Sequence, residues 1–349
     1  MTPEQPTEPH AGHTGGIERA TPVTMRDIAQ VAGVSVATVS YVVNDKAGAR
    51  VGADARDRVR NAIAELGYRP NALAKTLVSG HSKFIGLVAD AIATTPFAGR
   101  IIQGAQDEAW KHGYVLLVAN TDGNADAERE AISMMLEHKV RGILYSAWFH
   151  RAVAVPAALA ETAAVLVDCY SEAGEIPAVV PDEVQGGRTA TEMLIEAGHR
   201  RIAFINTTSP SPARIGRLKG YRDALEAAGI EFDPGLVHDA SSDQEGGYGV
   251  GEKILSQDAT AVCCHNDRVA MGLYDAVRER GLRIPQDLAV VGFDDQEVIS
   301  AHVRPPLTTV ALPHYEMGAA AVRLLLGIDK SPGRDPMLIQ CPPVYRDSV

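Results

Sequence analysis

Two kinds of hydrophobic pattern follow one another along the chain, and the change falls near residue 82. Before it, the stretch "TMRDIAQVAG" repeats apolar residues at helical spacing, and Thr24 with Asp27 three residues later has the signature of a capped helix start. The stretches "SVATVSYVV" and "DARDRVRNAIAEL" have the same period, and the third helix is expected over about residues 54–66. The pattern predicts three short helices around one small core, with a tight turn at "AGV" between the first two.

The apolar side chains of these helices are expected to turn toward that core. Ser35 is the expected N-cap of the second helix, and Gly67 is expected to end the third. The residues predicted to face inward share helical spacing: Ile28, Val31, Ala32, Val39, Val42, Val43, Val59, Ile63 and Leu66. The outer face of the second helix then holds Val36, Ala37 and Tyr41, where a helix that reads DNA usually has arginine, glutamine or asparagine. A helix-turn-helix is one interpretation of this region, and an ordinary pair of packed short helices is the other.

After residue 82, short apolar runs alternate with helical segments of about 10 to 15 residues. The runs include "FIGLVAD", "YVLLVAN", "AVLVDCY", "RIAFIN", "AVCCHN" and "LAVVGFDD". This alternation predicts right-handed β-α-β units, in number enough for two doubly wound parallel sheets. Ligands of such sheets bind at the carboxyl ends of the strands, so residues just after "LVAD", "LVD", "HND" and "GFDD" are expected to line a cleft between the sheets.

Composition places the chain among ordinary globular proteins. Its 349 residues, 46% of them hydrophobic, are sufficient for the cores of two or more domains. The sequence has no run of about 18 apolar residues and no secretory signal pattern in residues 1–23, so a cytoplasmic, nucleoid-associated protein is expected. Its four cysteines lack the paired spacing of a metal site, so buried thiols and no cofactor or metal are expected.

The net charge of −11 argues against a nucleic-acid partner until its distribution is considered. From Thr24 to Gly80 there are eight basic and five acidic residues, a net charge of +3, whereas residues 81–349 have a net charge of −12. A small basic module attached to a larger acidic one is typical of a tethered DNA-binding domain. Three arginines of the predicted third helix, Arg56, Arg58 and Arg60, contribute to the basic charge, although a solvated helix face would look the same.

Enzymatic activity is the main rival hypothesis, and the motifs do not favour it. The stretch "GGYGVGEK" does not fit the dinucleotide-binding pattern and does not follow a strand, and neither "GxSxG" nor "HExxH" occurs. A solute-binding protein without a role on DNA is the second rival, and the two predicted sheets alone would suit it. The basic amino-terminal module and the lack of a signal pattern argue against that class.

Several motifs in fixed order make the sequence similar to one protein family. The stretches "VTMRDIAQVAGVSVATVSYVVN", "ELGYRPNALAKTLVSGHSKFIGLV", "GHRRIAFI", "RLKGYRDALEAAGI", "CCHNDRVAMGLYDAVRERGLRIPQDLAVVGFDD" and "PPLTTV" resemble the lactose-repressor/galactose-repressor family of bacterial transcription regulators. The resemblance covers about residues 23–349. It implies a helix-turn-helix head with a hinge helix, joined to an α/β core of two doubly wound parallel-sheet subdomains that resembles periplasmic binding proteins.

Residues 1–22 are rich in Pro, Gly, Thr and Glu without hydrophobic periodicity and are expected to form a disordered tail. The resemblance implies the order of the remaining domains: residues 23–69 the DNA-binding domain, residues 70–81 the hinge helix and linker, and residues 82–349 the effector-binding and dimerisation core. Within the core, the first subdomain takes about 82–181 and 313–337, and the second takes about 182–312 and 338–349.

On DNA, the family implies a homodimer on a near-palindromic operator, acting as a regulator that is expected to repress. The hinge segment "YRPNALAKTL" would fold on the operator, and its Leu77 would insert into the minor groove as an apolar wedge. The positions matching DNA-contacting residues of the family are Thr24, Ser35, Val36, Ala37, Thr38, Ser40, Tyr41, Asn44, Arg56, Asn71, Ala74 and Leu77.

In the core, the resemblance implies allosteric control by a small molecule, with a sugar or sugar derivative the first expectation and a nucleoside or purine the alternative. The positions matching effector contacts are Asp90, Phe97, Asp168, Arg217, Asn266 and Asp294. From the residues alone, Asn266 or Asp267 could instead cap a helix, and Asp294 or Asp295 could shape a turn. The chain departs from the lactose repressor at Ser242, where that protein has a stacking tryptophan, and at Leu312 and His314, where it has glutamine and phenylalanine.

Overall fold

The computed structural model describes residues 23–44, 50–68, 81–91 and 99–349. The chain divides into two compact units, Met1–Val78 and Ser79–Val349. The predicted tail of residues 1–22 and the expected contact residues Asn71, Ala74, Leu77 and Phe97 lie outside the described residues.

The first unit contains three helices, α1 (Met25–Ala32), α2 (Val36–Val43) and α3 (Ala53–Leu66). The start of α1 is the predicted capping box: the backbone N–H of Thr24 donates to Oδ2 of Asp27 at 2.7 Å, and the backbone N–H of Asp27 donates back to the Thr24 hydroxyl. Gly33 ends α1 with φ +61°, a left-handed conformation that glycine adopts without strain. The chain can therefore turn within a few residues and begin α2 at the Ser35 cap, as predicted.

One small apolar cluster holds the three helices together. Ile28, Val39 and Val59 are fully buried and contribute one side chain from each helix. Val31 was predicted to point inward and is instead 51% exposed, because Ala29 completes the buried arc of α1. Val42 and Val43 of α2 also pack against this cluster, whereas Val36 and Ala37 at the start of the helix are exposed.

The second unit contains two six-stranded, mostly parallel sheets. The first sheet has the order β11-β5-β4-β3-β1-β2 and the second β12-β10-β9-β8-β6-β7. The strands of the first are β1 (Phe84–Ala89), β2 (Val115–Asn120), β3 (Ile143–Ala152), β4 (Ala164–Tyr170), β5 (Ala178–Pro181) and β11 (Met337–Ile339). Those of the second are β6 (Ile202–Thr207), β7 (Val237–Ala240), β8 (Ala261–Cys264), β9 (Ala289–Asp294), β10 (Thr308–Ala311) and β12 (Pro343–Val344).

Helices cover both faces of each sheet, as expected for doubly wound sheets whose strands are buried on both sides. The first sheet packs against α4 (Gly99–Lys111) and α11 (His314–Leu325) on one face and α5 (Ala125–Glu137) on the other. The second packs against α6 (Glu183–Glu196) and α7 (Pro212–Ala227), and on its other face against α8 (Gln244–Leu255) and α9 (Asp267–Glu279). A short helix, α10 (Glu297–Ser300), follows β9.

The chain passes between the subdomains after β5, after β10 and after β11. The sequence predicts that the chain re-enters the second subdomain at about residue 338. In the structure the first subdomain extends slightly further, because Met337–Ile339 pairs in parallel with Val179–Pro181 as an edge strand of the first sheet. A three-residue strand has too few residues to show a pattern, so its pairing becomes visible only in the structure.

Helix α11 follows strand β10 of the second sheet in the chain, but it packs against the first sheet and closely against α4. An added Cβ at Gly104 of α4 would lie 1.9 Å from the backbone oxygen of Tyr315, so only glycine permits this helix contact. The four cysteines are buried free thiols. Among the helices that the structure describes, none is long and apolar enough to cross a membrane.

Candidate functional site

The outer face of α2 is apolar, as its sequence indicates. Val36 is 43% exposed and Tyr41 40% exposed, and Ala37 lies beside Val36 on the same open surface, while Val39 is fully buried on the opposite side. Exposed apolar side chains at these positions can contact the methyl groups of thymine in a major groove.

The polar side chains of α2 already make local hydrogen bonds. The Ser35 hydroxyl accepts from the backbone N–H of Thr38 at 3.1 Å and lies 2.9 Å from the Thr38 hydroxyl. Nδ2 of Asn44 donates to the backbone oxygen of Ser40 at 3.0 Å. These bonds hold the helix ends, and Ser35 and Asn44 remain exposed to a partner.

The basic residues of α3 are mostly exposed. Arg58 lies 3.6 Å from Asp54, and Arg60 lies 3.9 Å from Asp57, whereas Arg56 is half-buried. Exposed pairs of this kind contribute little to folding, about 0 to 1 kcal/mol each, so the arginines can exchange partners for phosphates at small cost.

In the second unit, a cavity of about 210 Å³ lies between the two subdomains, at the carboxyl ends of the strands of both sheets. Four predicted effector residues line it: Asp168, Arg217, Asn266 and Asp294. Other lining residues with rings or hydrogen-bonding groups were not predicted as contacts, and they include Trp148, Phe149, His150, Glu183, Arg268 and Gln296.

Arg217 is the centre of a buried network in this cavity. Its Nε donates to Oε2 of Glu183 at 2.8 Å, its Nη1 donates to the backbone oxygen of His265, and Nη1 lies 3.6 Å from Oδ1 of Asp294. The guanidinium carbon lies 3.6 Å from the centroid of the Phe293 ring. Because Arg217 is only 4% exposed, these contacts fix its orientation before any ligand arrives.

The carboxyl groups around Arg217 differ in the direction in which their pKa values are shifted. Burial raises the pKa of Glu183, but Arg217 and His150 outweigh it and hold that pKa at about 2. For Asp294, burial outweighs the effect of Arg217 and raises the pKa to about 6. Burial, with the nearby charge of Glu183, raises the pKa of Asp168 well above its ordinary value. The cavity therefore offers a ligand carboxyl groups whose pKa values are shifted in opposite directions.

Two carboxylates have left-handed backbone, Asp168 within β4 and Asp294 at the end of β9. The backbone angle φ is +56° at Asp168 and +101° at Asp294, values that residues other than glycine rarely adopt. Backbone strain of this kind is concentrated at binding sites, where the fold compensates for it. Here it turns both carboxyl groups out of their sheets and into the cavity.

Asn266 serves as the N-cap of α9. Its Oδ1 accepts from the backbone N–H of Val269 at 2.9 Å, and its Nδ2 donates to the backbone oxygen of Ser242 at 3.1 Å. The next residue, Asp267, is fully buried, and it accepts from the Thr309 hydroxyl and the backbone N–H of Gln296, each at 2.7 Å. Asn266 thus has a structural role and still lines the cavity, whereas Asp267 is held within the fold.

Asp90 does not line the cavity. Its Oδ2 accepts from Nη2 of Arg151 at 3.0 Å, and its Oδ1 accepts from the backbone N–H of Ala91. In the structure this predicted contact residue is therefore paired with Arg151 and lies outside the cavity lining.

The three positions that differ from the lactose repressor all line the cavity. The Ser242 hydroxyl lies 2.6 Å from the Thr207 hydroxyl, and Leu312 adds an apolar side chain. His314 is buried, and burial, with the nearby charge of Arg100, lowers its pKa to about 4. A neutral imidazole at this position can both donate and accept hydrogen bonds.

Comparison with known proteins agrees with both units. The model described as bacterial regulatory proteins, lacI family, matches residues 24–71, and a periplasmic binding protein-like domain matches residues 191–349. The ribose operon repressor of Haemophilus influenzae is 34% identical over 338 residues, covering 93% of this chain and 98% of that protein. The chain belongs to the lacI family of bacterial regulatory proteins.

Other members of the family support the assignment over nearly the whole length. The HTH-type transcriptional repressor PurR of Vibrio atlanticus is 32% identical, over 87% of this chain and 91% of that protein. The solved lac repressor dimer bound to operator and an anti-inducer shares 28% identity over 94% of this chain and 99% of that one, with a TM-score of 0.73.

The chain is therefore a DNA-binding transcriptional regulator, and the predictions of fold class and of a non-enzymatic function are confirmed. The contact residues of both sites remain predictions.

Proposed function

We propose that the protein binds a near-palindromic operator as a homodimer, and that a small sugar-like ligand in the cleft controls this binding. The observation that carries the proposal is the buried network of Arg217, Glu183 and Asp294 in a cavity shared by both subdomains. Buried charges of this kind are costly to maintain, and a cleft that carries them is a strong candidate for a binding site.

Two lining residues of the cavity also form a direct contact between the subdomains. Nδ1 of His150, from the first sheet, lies 3.2 Å from Oε1 of Glu183, the first residue of α6 on the second. A ligand that contacts both walls alters the balance between two arrangements of the subdomains, by as much as its affinity for them differs. Allosteric coupling of this kind is typically about 1 to 3 kcal/mol.

The chemistry of the lining favours an uncharged ligand rich in hydroxyl groups. Among the described lining residues are three carboxyl groups, of Asp168, Glu183 and Asp294, and two guanidinium groups, of Arg217 and Arg268. Arg217 is already paired with carboxylates, so a ligand phosphate would meet an excess of acidic groups. Vicinal hydroxyls instead donate to carboxylates and accept from a guanidinium. The cavity volume lies below the roughly 300 to 1,000 Å³ of drug-sized pockets, which supports a ligand of about monosaccharide size.

A homodimer is supported by the exposed edge of the first sheet. Strand β2 ends the strand order there, and its Val115 and Val118 side chains are exposed. Apolar side chains on an open sheet edge are an interaction surface that a second copy of the chain could cover. A two-fold pairing would also match two heads to two operator half-sites.

On the operator, we propose that Val36, Ala37 and Tyr41 contact bases while Thr24, Ser35, Thr38, Ser40, Asn44 and Arg56 contact the sugar-phosphate backbone. The exposure of Val36, Ala37 and Tyr41 on α2, in a head of net positive charge, supports this role. Such a regulator would act in the cytoplasm, where its operator lies.

Two measurements test the proposal on the intact chain. Operator DNA selected from a random pool should be retained at nanomolar concentration, with the salt dependence of a phosphate-binding protein. In a thermal-shift panel of D-ribose, cellobiose, glucose 6-phosphate and hypoxanthine, an uncharged sugar should raise the melting temperature and change the operator affinity. Stabilisation by hypoxanthine alone would establish a purine effector instead, and the absence of any selected DNA would refute the regulator's proposed mode of action.

A further inference from the structure

Strand β3 carries a bulge at the cavity. Ser146 stands opposite Val167 of β4, but the next paired residue, Arg151, stands opposite Cys169. Four residues of β3 therefore lie against the single residue Asp168. Extra residues in one strand bend it and redirect their side chains, and bulges of this kind are frequent beside binding sites.

The bulge places aromatic rings in the wall of the cavity. Trp148, Phe149 and His150 all line it from the first subdomain. The Trp148 and Phe149 rings contact edge to face, with centroids 5.0 Å apart and planes at 74°. Trp148 remains 38% exposed, so much of its ring surface is open to a ligand.

A pair of charged side chains, Arg151 and Asp90, supports the Phe149 ring. The guanidinium of Arg151 lies over the Phe149 ring, 5.4 Å from its centroid, and Asp90 holds that guanidinium through the 3.0 Å bond. Asp90, predicted from the sequence as a ligand contact, therefore acts at a distance as a positioning residue for Phe149.

The facing wall, from the second subdomain, is polar at the point where the lactose repressor has its stacking tryptophan. Ser242 occupies that position, with its hydroxyl 2.6 Å from the Thr207 hydroxyl. The tryptophan that lines this cavity comes instead from the bulge of the first subdomain.

We propose that Trp148 determines ligand specificity by packing its ring on the apolar face of a cyclic, uncharged polyol whose hydroxyl groups meet Arg217 and Asp294. The inference rests on the proposed effector role of the cleft. Sugar rings present C–H groups on one face and hydroxyls at the rim, which matches an aromatic wall facing a charged one.

The chain offers a direct probe, because it has two tryptophans, Trp148 in the cleft and Trp110 on α4, 62% exposed. In Trp110→Phe, the emission of the intact protein comes from Trp148 alone. Titration with D-ribose and with cellobiose should shift or quench this emission saturably for the sugar that binds. The matched variant Trp148→Phe, which keeps Trp110, should bind the same sugar without an emission change.

Affinity measured by calorimetry provides the second readout. Trp148→Ala should raise the dissociation constant of that sugar about tenfold, and Trp148→Phe, which keeps a ring, by less than about threefold. The melting temperature without ligand and the operator affinity should stay unchanged in both variants. Equal sugar affinity in Trp148→Ala and the unmodified protein, or unchanged Trp148 emission at saturation, would overturn the inference.

The failure of the inference and that of the proposed function are distinguishable. If glucose 6-phosphate or hypoxanthine binds and alters operator affinity while neither sugar does, the cleft remains an effector site but the uncharged-polyol assignment is wrong. If no compound of the panel binds the unmodified protein, both are rejected.

Discussion

The head and the core present opposite surfaces to their partners. In the head, short apolar side chains of α2 are exposed on a positively charged unit, whereas in the core, charged side chains are buried in a negatively charged one. The head is held together by a small cluster around Ile28, Val39 and Val59. In the core, internal contacts hold Arg217 and its carboxylates in fixed positions, which reduces the entropy cost of binding at the proposed effector site.

The two regions should therefore respond differently to substitution. A substitution in the cleft breaks a network of mutually dependent charges, and its effect should be large. A substitution on α2 changes one contact among several, and its effect should appear as altered preference. The expected effects therefore decrease from the centre of the cleft to the start of α3.

The largest effect is expected for Arg217→Ala. This variant leaves Glu183 and Asp294 without their buried cation, and hydrogen bonds to charged groups contribute about 1.5 to 3 kcal/mol each. We expect ligand affinity, measured by calorimetry, to fall about 100-fold or more while operator affinity is kept. Arg222→Ala, on the exposed face of the same helix, is the matched control and should bind normally. Normal ligand binding by Arg217→Ala would show that the cleft assignment is wrong.

On the head, Tyr41→Arg should change the operator preference. An arginine fork at this exposed position can contact guanine, and such a contact discriminates between bases by about 1 to 3 kcal/mol. Selection from random DNA should therefore yield a different half-site, preferred by about 10-fold to 100-fold. Val31→Arg adds the same charge to an exposed position of α1 and controls for general electrostatic attraction. An identical half-site for Tyr41→Arg and the unmodified protein would mean that Tyr41 does not read bases.

The charged wall of the cleft should also make binding depend on pH. The pKa of Asp294 is raised to about 6, so its carboxylate accepts hydrogen bonds at about pH 7.5 and is mostly protonated near pH 5. We expect sugar affinity to fall by up to about tenfold over this range as the pH is lowered. Burial lowers the pKa of His314 to about 4 and that of His265 to about 3, so both stay neutral throughout. The Asp294→Asn variant should bind the sugar weakly at both pH 7.5 and pH 5. If sugar binding by this variant kept the same pH dependence, another group would be responsible for that dependence.

The smallest effect is expected at Gly52, the N-cap of α3. It makes no side-chain capping bond, its backbone is extended with φ −60°, and an added Cβ would meet open space. Gly52→Ser should stabilise α3 by a few tenths of a kcal/mol, and Gly52→Ala should be about 1 kcal/mol less stable than Gly52→Ser. Hydrogen exchange of the α3 amides measures both differences. Equal protection in the two variants would exclude a capping bond from the new hydroxyl.

The elements of the head could be predicted because their signals are local. Thr24 and Asp27 are three residues apart and cap the same turn, and Gly33 and Gly67 mark the two helix ends with φ +61° each. Val31 was misplaced because spacing alone allows either flank of the stripe to be buried, and the packing of Ala29 decides between them.

The cleft was predictable where it depends on strand ends and not where it depends on pairing across the fold. Asp168 and Asp294 directly end or follow recognisable apolar runs, so the parallel arrangement brings them together. Trp148 and His150 enter the cavity because of a register shift against β4, which no local pattern announces. Glu183 is 34 residues from Arg217 in the chain, and only the packed structure shows that it is the partner.

The most direct test is the operator affinity of the intact protein, measured by fluorescence anisotropy on selected operator DNA with and without a saturating sugar from the thermal-shift panel. Coupling between cleft and head predicts a change in the dissociation constant of at least about fivefold, lost in Arg217→Ala. Superimposable operator titrations with and without saturating sugar would contradict the proposal that the cleft controls the head.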